Sequence, residues 1–73
     1  MRYEFYRVEE NVRYPNTENP AWHTLDGWDD HSLEKLSKCL DVASAGGSFG
    51  DRQKYRIVKV TVEEINQNES HDE

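Results

Sequence analysis

One stripe of apolar residues at helical spacing constrains the fold of this chain more than any other feature. The residues of the stripe are Leu33, Leu36, Leu40 and Ala43. Their spacing of i, i+3, i+7 and i+10 places them on one side of an α-helix. Gly46 and Gly47 follow, and glycine readily adopts the backbone conformation that ends a helix. The pattern predicts one helix over about residues 31–45, with Asp29 and Asp30 as caps at its positive end.

Segments rich in aromatic and β-branched residues lie on both sides of the helix and predict two long strands, over residues 2–12 and 53–65. Alternation places Tyr3 and Phe5 on one face of the first strand and Tyr6, Val8 and Val12 on the other, so both of its faces carry apolar residues. In the second strand it separates Tyr55 and Ile57 from the three valines, which are Val58, Val60 and Val62.

Between the first strand and the helix lies a segment with two prolines, residues 14–20, which predicts a turn that no regular element crosses. Residues 22–25 are compatible with a short extra strand. An isolated parallel strand pair is unusual in so small a chain, because parallel sheets are normally covered on both faces. We therefore expect an α+β fold: a small antiparallel sheet of two long strands, with room for a short third, and one helix packed on one face.

The length of 73 residues predicts a single domain, residues 1–65, followed by a disordered acidic tail, residues 66–73. A single cysteine, Cys39, cannot form an intramolecular disulfide, and no signal peptide or membrane-spanning run is recognisable. We expect a cytoplasmic monomer that needs no cofactor or metal and binds no membrane.

Charge is distributed unevenly along the chain, whose net charge is −6. Between Glu9 and Glu34 the only basic residue is Arg13, while the acidic residues there are Glu9, Glu10, Glu18, Asp26, Asp29, Asp30 and Glu34. Trp22 and Trp28 lie in the same stretch, and a basic cluster follows at Arg52, Lys54, Arg56 and Lys59. A net negative charge argues against direct nucleic-acid binding, which requires a basic surface. The layout is typical of a surface that contacts another macromolecule.

The same layout selects candidate contact residues for a protein partner. Tryptophan and tyrosine dominate interface hot spots, which favours the two indoles and Tyr55. Arg52, Lys54 and Arg56 alternate, and we expect them to project from one face of the second strand as a polar rim around Tyr55. The expected partner-binding residues are Trp22, Trp28, Arg52, Lys54, Tyr55, Arg56, Glu9 and Glu10.

Two other functions are alternatives to protein binding. An acidic surface can imitate the phosphates of DNA, which would suit an inhibitor of a host defence nuclease of the anti-restriction or anti-CRISPR type. The cluster from His23 to His31 contains potential metal ligands for an enzyme, but its spacing matches no zinc pattern, and solvated histidines are the simpler interpretation. Cys39 is expected to be a half-buried structural thiol rather than a nucleophile. We therefore expect no enzymatic activity.

Three segments of the chain support a resemblance to a known class of proteins: the opening RYEFYRV, the helix DDHSLEKLSKCL and the strand YRIVKVTVEEI. In these, and in its size and acidity, it resembles small bacteriophage regulators that bind the host's bacterial RNA polymerase. The resemblance implies a protein of the host bacterial cytoplasm. It implies inhibition of transcription initiation by interference with the engagement of σ factor and promoter, and it leaves room for an effect on termination.

Overall fold

The computed structural model describes residues 1–47 and 49–65, in which three strands and one α-helix form an α+β fold. In chain order the elements are β1 (Arg2–Asn11), β2 (Trp22–Asp30), α1 (Leu33–Ala45) and β3 (Tyr55–Glu63). Both strand pairs are antiparallel, and the order in the sheet is β2-β1-β3. The predicted fold class is therefore confirmed, with a third strand present.

The third strand, β2, is longer than the predicted residues 22–25 because pairing with β1 extends it to Asp30. Its register against β1 shifts between Arg7 and Glu9, so that residues 25–28 lie opposite the single residue Val8. Gly27 allows this bulge, since its φ of +82° lies in the left-handed region. The acidic and glycine residues of β2 have low strand propensity, which is why the sequence pattern underestimates its length.

The helix begins two residues later than predicted, and its N-cap is Ser32. The Ser32 hydroxyl accepts a hydrogen bond from the Lys35 amide at 3.2 Å. Asp29 and Asp30 lie in β2, so the prediction that they cap the helix is wrong. Asp30 instead accepts a hydrogen bond from the Ser32 amide at 2.8 Å and stabilises the turn before the helix. The predicted end is confirmed, with Gly46 as the C-cap.

The strand β3 begins at Tyr55, and the residues before it form one turn of 3-10 helix, Arg52–Lys54. Asp51 starts this turn by accepting a hydrogen bond from the Gln53 amide at 3.0 Å. The prediction that Arg52, Lys54 and Arg56 project from one face of a strand is therefore wrong, since only Arg56 belongs to β3.

The core lies between the helix and one face of the sheet. Its buried residues are Val8, Leu36, Leu40 and Tyr55, and Tyr6, Leu25, Trp28, Phe49 and Ile57 pack around them. Leu36 and Leu40 come from the predicted stripe, whereas Leu33 is 48% exposed. Cys39 is also exposed, so the expectation of a half-buried thiol is wrong.

The loop between β1 and β2 is held by a buried side chain, Asn11, which is 1% exposed. Its Oδ1 accepts hydrogen bonds from the amides of Arg13 and Ala21, each at 3.0 Å. Its Nδ2 donates to the Asn16 carbonyl at 3.0 Å. As predicted, no helix or strand crosses residues 14–20.

Two further findings concern predictions about membrane-spanning segments and about the acidic tail. Within the described residues, no helix is long and apolar enough to cross a membrane. The acidic tail predicted at residues 66–73 lies outside the described residues.

A candidate partner-binding face

The face of the sheet opposite the helix carries no covering element among the described residues. Residues that pair directly across two strands share a face, and the helix packs on the face of Val8. We call the uncovered surface the open face. It consists of Tyr3, Phe5, Arg7, Glu9, Trp22, Thr24, Asp29, Arg56, Val58, Val60 and Val62.

At one end of the open face, a buried carboxylate binds two arginines. Glu9 is 6% exposed. Its Oε2 accepts hydrogen bonds from Nε and Nη2 of Arg7 at 3.2 and 2.9 Å. Its Oε1 accepts a hydrogen bond from Nε of Arg56 at 2.9 Å and lies 2.7 Å from Nη2 of the same residue. The two guanidinium groups thus hold both carboxylate oxygens, an arrangement in which charge-assisted bonds fix the geometry.

Burial and hydrogen bonding have opposite effects on this carboxyl group. Burial acts to raise the pKa of Glu9, whereas the hydrogen bonds and positive charges of Arg56 and Arg7 lower it. The second influence prevails, and the pKa of Glu9 lies below its ordinary value. Glu9 is therefore ionised at neutral pH and holds Arg7 and Arg56 in place on the open face.

Trp22 contacts the same cluster. The guanidinium carbon of Arg56 lies 4.2 Å from the centre of the Trp22 ring, which is a close cation–π contact. Trp22 is half-buried, and its backbone pairs with that of Asn11, the residue that holds the preceding loop. The indole therefore has a fixed position, with Arg56 against it.

The other predicted acid, Glu10, lies on the helix-facing side of the sheet. Its carboxylate is 3.0 Å from Nζ of Lys54, and the hydrogen bond between them raises the pKa of Lys54. Together with the pairing of Glu9 and Arg56, this contact shows that the start of the acidic stretch and part of the basic cluster neutralise each other. The sequence presents them as two separate patches, but β1 and β3 are neighbours in the sheet.

The remaining predicted contact residues make contacts within the protein, either in the interior or at the end of the helix. Trp28 and Tyr55 both pack against Phe49, with ring centres 4.7 and 4.9 Å from its ring centre. Tyr55 is 8% exposed, and its hydroxyl donates a hydrogen bond to the Phe49 carbonyl at 3.0 Å. Arg52 donates to Asp41 of the helix at 3.0 Å. Of the eight predicted residues, the open face brings together Glu9, Trp22 and Arg56.

The opposite end of the open face is apolar and aromatic, and none of the contact residues predicted from the sequence lies there. Tyr3, 47% exposed, stacks on Phe5 with ring centres 6.2 Å apart. His31 lies 6.4 Å from each of these rings and completes an aromatic cluster. Beside the cluster run Val60 and Val62, which pair with Phe5 and Tyr3. The sequence does contain a signal for this site, because Tyr3 and Phe5 alternate within β1 and the valines alternate within β3. Only the strand order, however, shows that the helix leaves this face uncovered.

The potential metal ligands between His23 and His31 are not brought together in the fold. His31 lies with Tyr3 and Phe5, whereas His23 pairs across the strands with Glu10. Within residues 1–47 and 49–65, no three histidine, cysteine, aspartate or glutamate side chains are grouped closely enough to hold a metal ion.

Comparisons with known proteins identify no relative. No protein-family model matches the chain, and neither the curated proteins nor the solved structures contain a significant match.

Proposed function

We propose that this chain is a non-enzymatic regulator that acts by binding another protein through the open face. The observation that carries the proposal is an uncovered sheet face with an aromatic and valine-rich part at one end and the Trp22–Arg56 contact at the other. Large exposed apolar patches flanked by polar groups mark interaction sites. Aromatic and arginine side chains are also the residue types that contribute most to interface affinity.

The dimensions of the face indicate what the partner must contact. Strands of nine or ten residues are about 30 Å long, and three of them at their usual spacing are about 14 Å wide, which gives about 400 Å². A stable interface buries about 800 Å² on each partner. The partner therefore has to extend beyond the open face onto its edges, where acidic residues such as Asp29 favour a basic rim.

The proposed partner is bacterial RNA polymerase, which follows from the resemblance to bacteriophage regulators. Binding would inhibit transcription initiation by interfering with the engagement of σ factor and promoter, and an effect on termination belongs to the same proposal. The geometry gives less support to imitation of DNA, because Glu9 and Glu10 are bound to arginine and lysine instead of forming a free row of negative charge.

Purified RNA polymerase, as core enzyme and as holoenzyme, tests this proposal. We expect a stable complex by size-exclusion chromatography and reduced promoter-dependent transcription. Val60→Thr on the open face should weaken the complex about fivefold to tenfold, the effect of roughly 1 kcal/mol. Val42→Thr is the matched control, since Val42 lies on the helix, is 72% exposed and undergoes the same chemical change.

The outcomes test the identity of the partner and the position of the binding surface independently. Absence of a complex with both forms of the polymerase would reject the partner. A complex weakened equally by Val42→Thr and Val60→Thr would reject the open face. A loss of affinity of about a thousandfold between 50 and 200 mM salt would instead support a DNA mimic.

A further inference from the structure

The strand β3 lies at the edge of the sheet, and the direction of its free backbone groups follows from one hydrogen bond. The Glu64 amide donates to the Met1 carbonyl at 2.8 Å, which makes these two residues a hydrogen-bonded antiparallel pair. Because such pairs alternate along a ladder, the even-numbered residues of β3 direct their backbone groups toward β1 and the odd-numbered residues direct theirs outward. Tyr55 agrees with this rule, since its amide donates to the Arg52 carbonyl and its carbonyl accepts from Arg52 Nη1.

The outward backbone groups beyond Tyr55 form a regular edge. They belong to Ile57, Lys59, Thr61 and Glu63, and no described strand pairs with them. The helix packs against β1 and β2 and does not cover this edge. An uncovered regular edge is a template for pairing with another strand. The outer edge of β2 is less suitable because the bulge at Gly27 interrupts it.

The sequence of β3 is complementary to itself in one antiparallel register. If a two-fold axis passes through Thr61, the backbone geometry places outward-facing residues of both copies opposite each other. Lys59 of each copy then faces Glu63 of the other. On the open face, Val60 faces Val62 of the second copy. Opposite charges and β-branched pairs directly across two strands stabilise a sheet.

Neighbouring registers are less favourable. An axis at Lys59 places two lysines opposite each other, and like charges in that position are destabilising. An axis at Val60 places Ile57 opposite Glu63, and its one charge pair would use Arg56, which the buried Glu9 already binds at 2.7 Å. The pair used by the register at Thr61 needs only Lys59, whose contact with the partly exposed Glu4 of its own chain is longer, at 3.6 Å. An axis at Val62 forms no charge pair.

We propose that two copies of the chain associate through β3, antiparallel and about an axis at Thr61, to form a six-stranded sheet. Both helices then lie on the same side of that sheet. The two open faces become continuous across the paired valines, so the dimer presents twice the surface on its other side. This departs from the monomer expected from the sequence, since an uncovered edge is a property of the strand order. The proposal does not depend on the identity of any other partner.

Sedimentation equilibrium of the full chain from micromolar to millimolar concentration tests the association. We expect a monomer–dimer equilibrium. Lys59→Glu or Glu63→Lys should weaken the dimer about tenfold or more, because each creates two like-charge contacts across the axis. The double variant Lys59→Glu/Glu63→Lys should restore dimerisation. Lys35→Glu, an exposed helix residue with the same charge change, is the control and should have little effect.

Disulfide trapping tests the register separately. Cys39 is exposed and is replaced by serine first. In this background Thr61→Cys should crosslink fastest, because directly paired residues have Cα atoms about 5.5 Å apart, within the range of a disulfide. A cysteine introduced at position 59, 60 or 62 would lie on the two-fold axis of one of the alternative registers. At each of these positions we expect slower crosslinking than at position 61. A monomer at millimolar concentration, fastest crosslinking at one of these other positions, or an equal effect of Lys35→Glu and Lys59→Glu would overturn the proposal.

Discussion

Replacement of Glu9 by glutamine tests whether the buried carboxylate holds the polar end of the open face together. The change preserves the size of the side chain but removes the negative charge between Arg7 and Arg56. Glutamine also replaces one acceptor oxygen by an amide donor, which cannot bind a guanidinium group. One arginine should therefore lose its partner, and the cation–π contact between Arg56 and Trp22 should loosen.

The structure sets the size of the effect. Breaking a fully buried ion pair costs about 3–5 kcal/mol, mostly because the remaining charge is left without a partner. Here the side chains of Arg7 and Arg56 are 36% and 45% exposed and can regain water. We therefore expect Glu9→Gln to lower the free energy of unfolding by about 2 kcal/mol. A small domain without disulfides has about 3–5 kcal/mol in total, and the melting temperature should fall by about 8–16 °C.

The pH dependence identifies the cause. Because the pKa of Glu9 is lowered in the folded state, its contribution is fully present above the ordinary value of 4.5 and is lost as pH falls through the folded-state pKa. The difference between the native protein and Glu9→Gln should be constant from neutral pH to about pH 5.5 and should shrink below about pH 4. Urea unfolding followed by tryptophan fluorescence at several pH values measures it.

A matched control separates the ion cluster from net charge. Glu18 is exposed in the loop, so Glu18→Gln makes the same charge change away from the cluster and should change the free energy of unfolding by less than about 0.5 kcal/mol. Equal effects of the two substitutions would refute the argument. A destabilisation by Glu9→Gln that persists undiminished at pH 3 would also refute it.

Two further substitutions test the loop contacts. Asn11→Ala should lower the free energy of unfolding by about 2–3 kcal/mol, because it leaves the amides of Arg13 and Ala21 without their acceptor; urea unfolding measures it, and an effect under about 0.5 kcal/mol would show that water replaces the side chain. Tyr14 donates a hydrogen bond to Asp51, which raises the pKa of its hydroxyl; in an NMR titration it should ionise above its ordinary pKa, and Asp51→Asn should bring that pKa down. An unchanged Tyr14 pKa in that variant would contradict the contact.

The sequence predicts the elements whose signals are local. The leucine stripe identifies the core side of the helix at Leu36 and Leu40, and Gly46 marks its end. The aromatic and β-branched residues identify β1 and β3. These signals are reliable because helical period, strand alternation and glycine conformation each depend on residues close together in the chain.

The same local signals fail where pairing decides the structure. The strand β2 reaches Asp30 despite its unfavourable composition, because β1 supplies its hydrogen bonds. Asp29 and Asp30 precede the helix as caps often do, yet both belong to that strand, and Ser32 is the cap. The tyrosine of the basic cluster, Tyr55, is an interior residue and not an exposed contact.

The amino-acid sequence by itself determined one helix, two long strands, their apolar faces and an acidic stretch followed by a basic cluster. Only the tertiary structure decided that the acid and the base pair with each other, through Glu9 with Arg56 and Glu10 with Lys54. It also decided that Tyr3, Phe5 and the valines of β3 share a face without cover. The physical reason is that strand order and register are set by contacts between residues far apart in the chain, and alternation alone gives each strand two faces without specifying which one the helix covers.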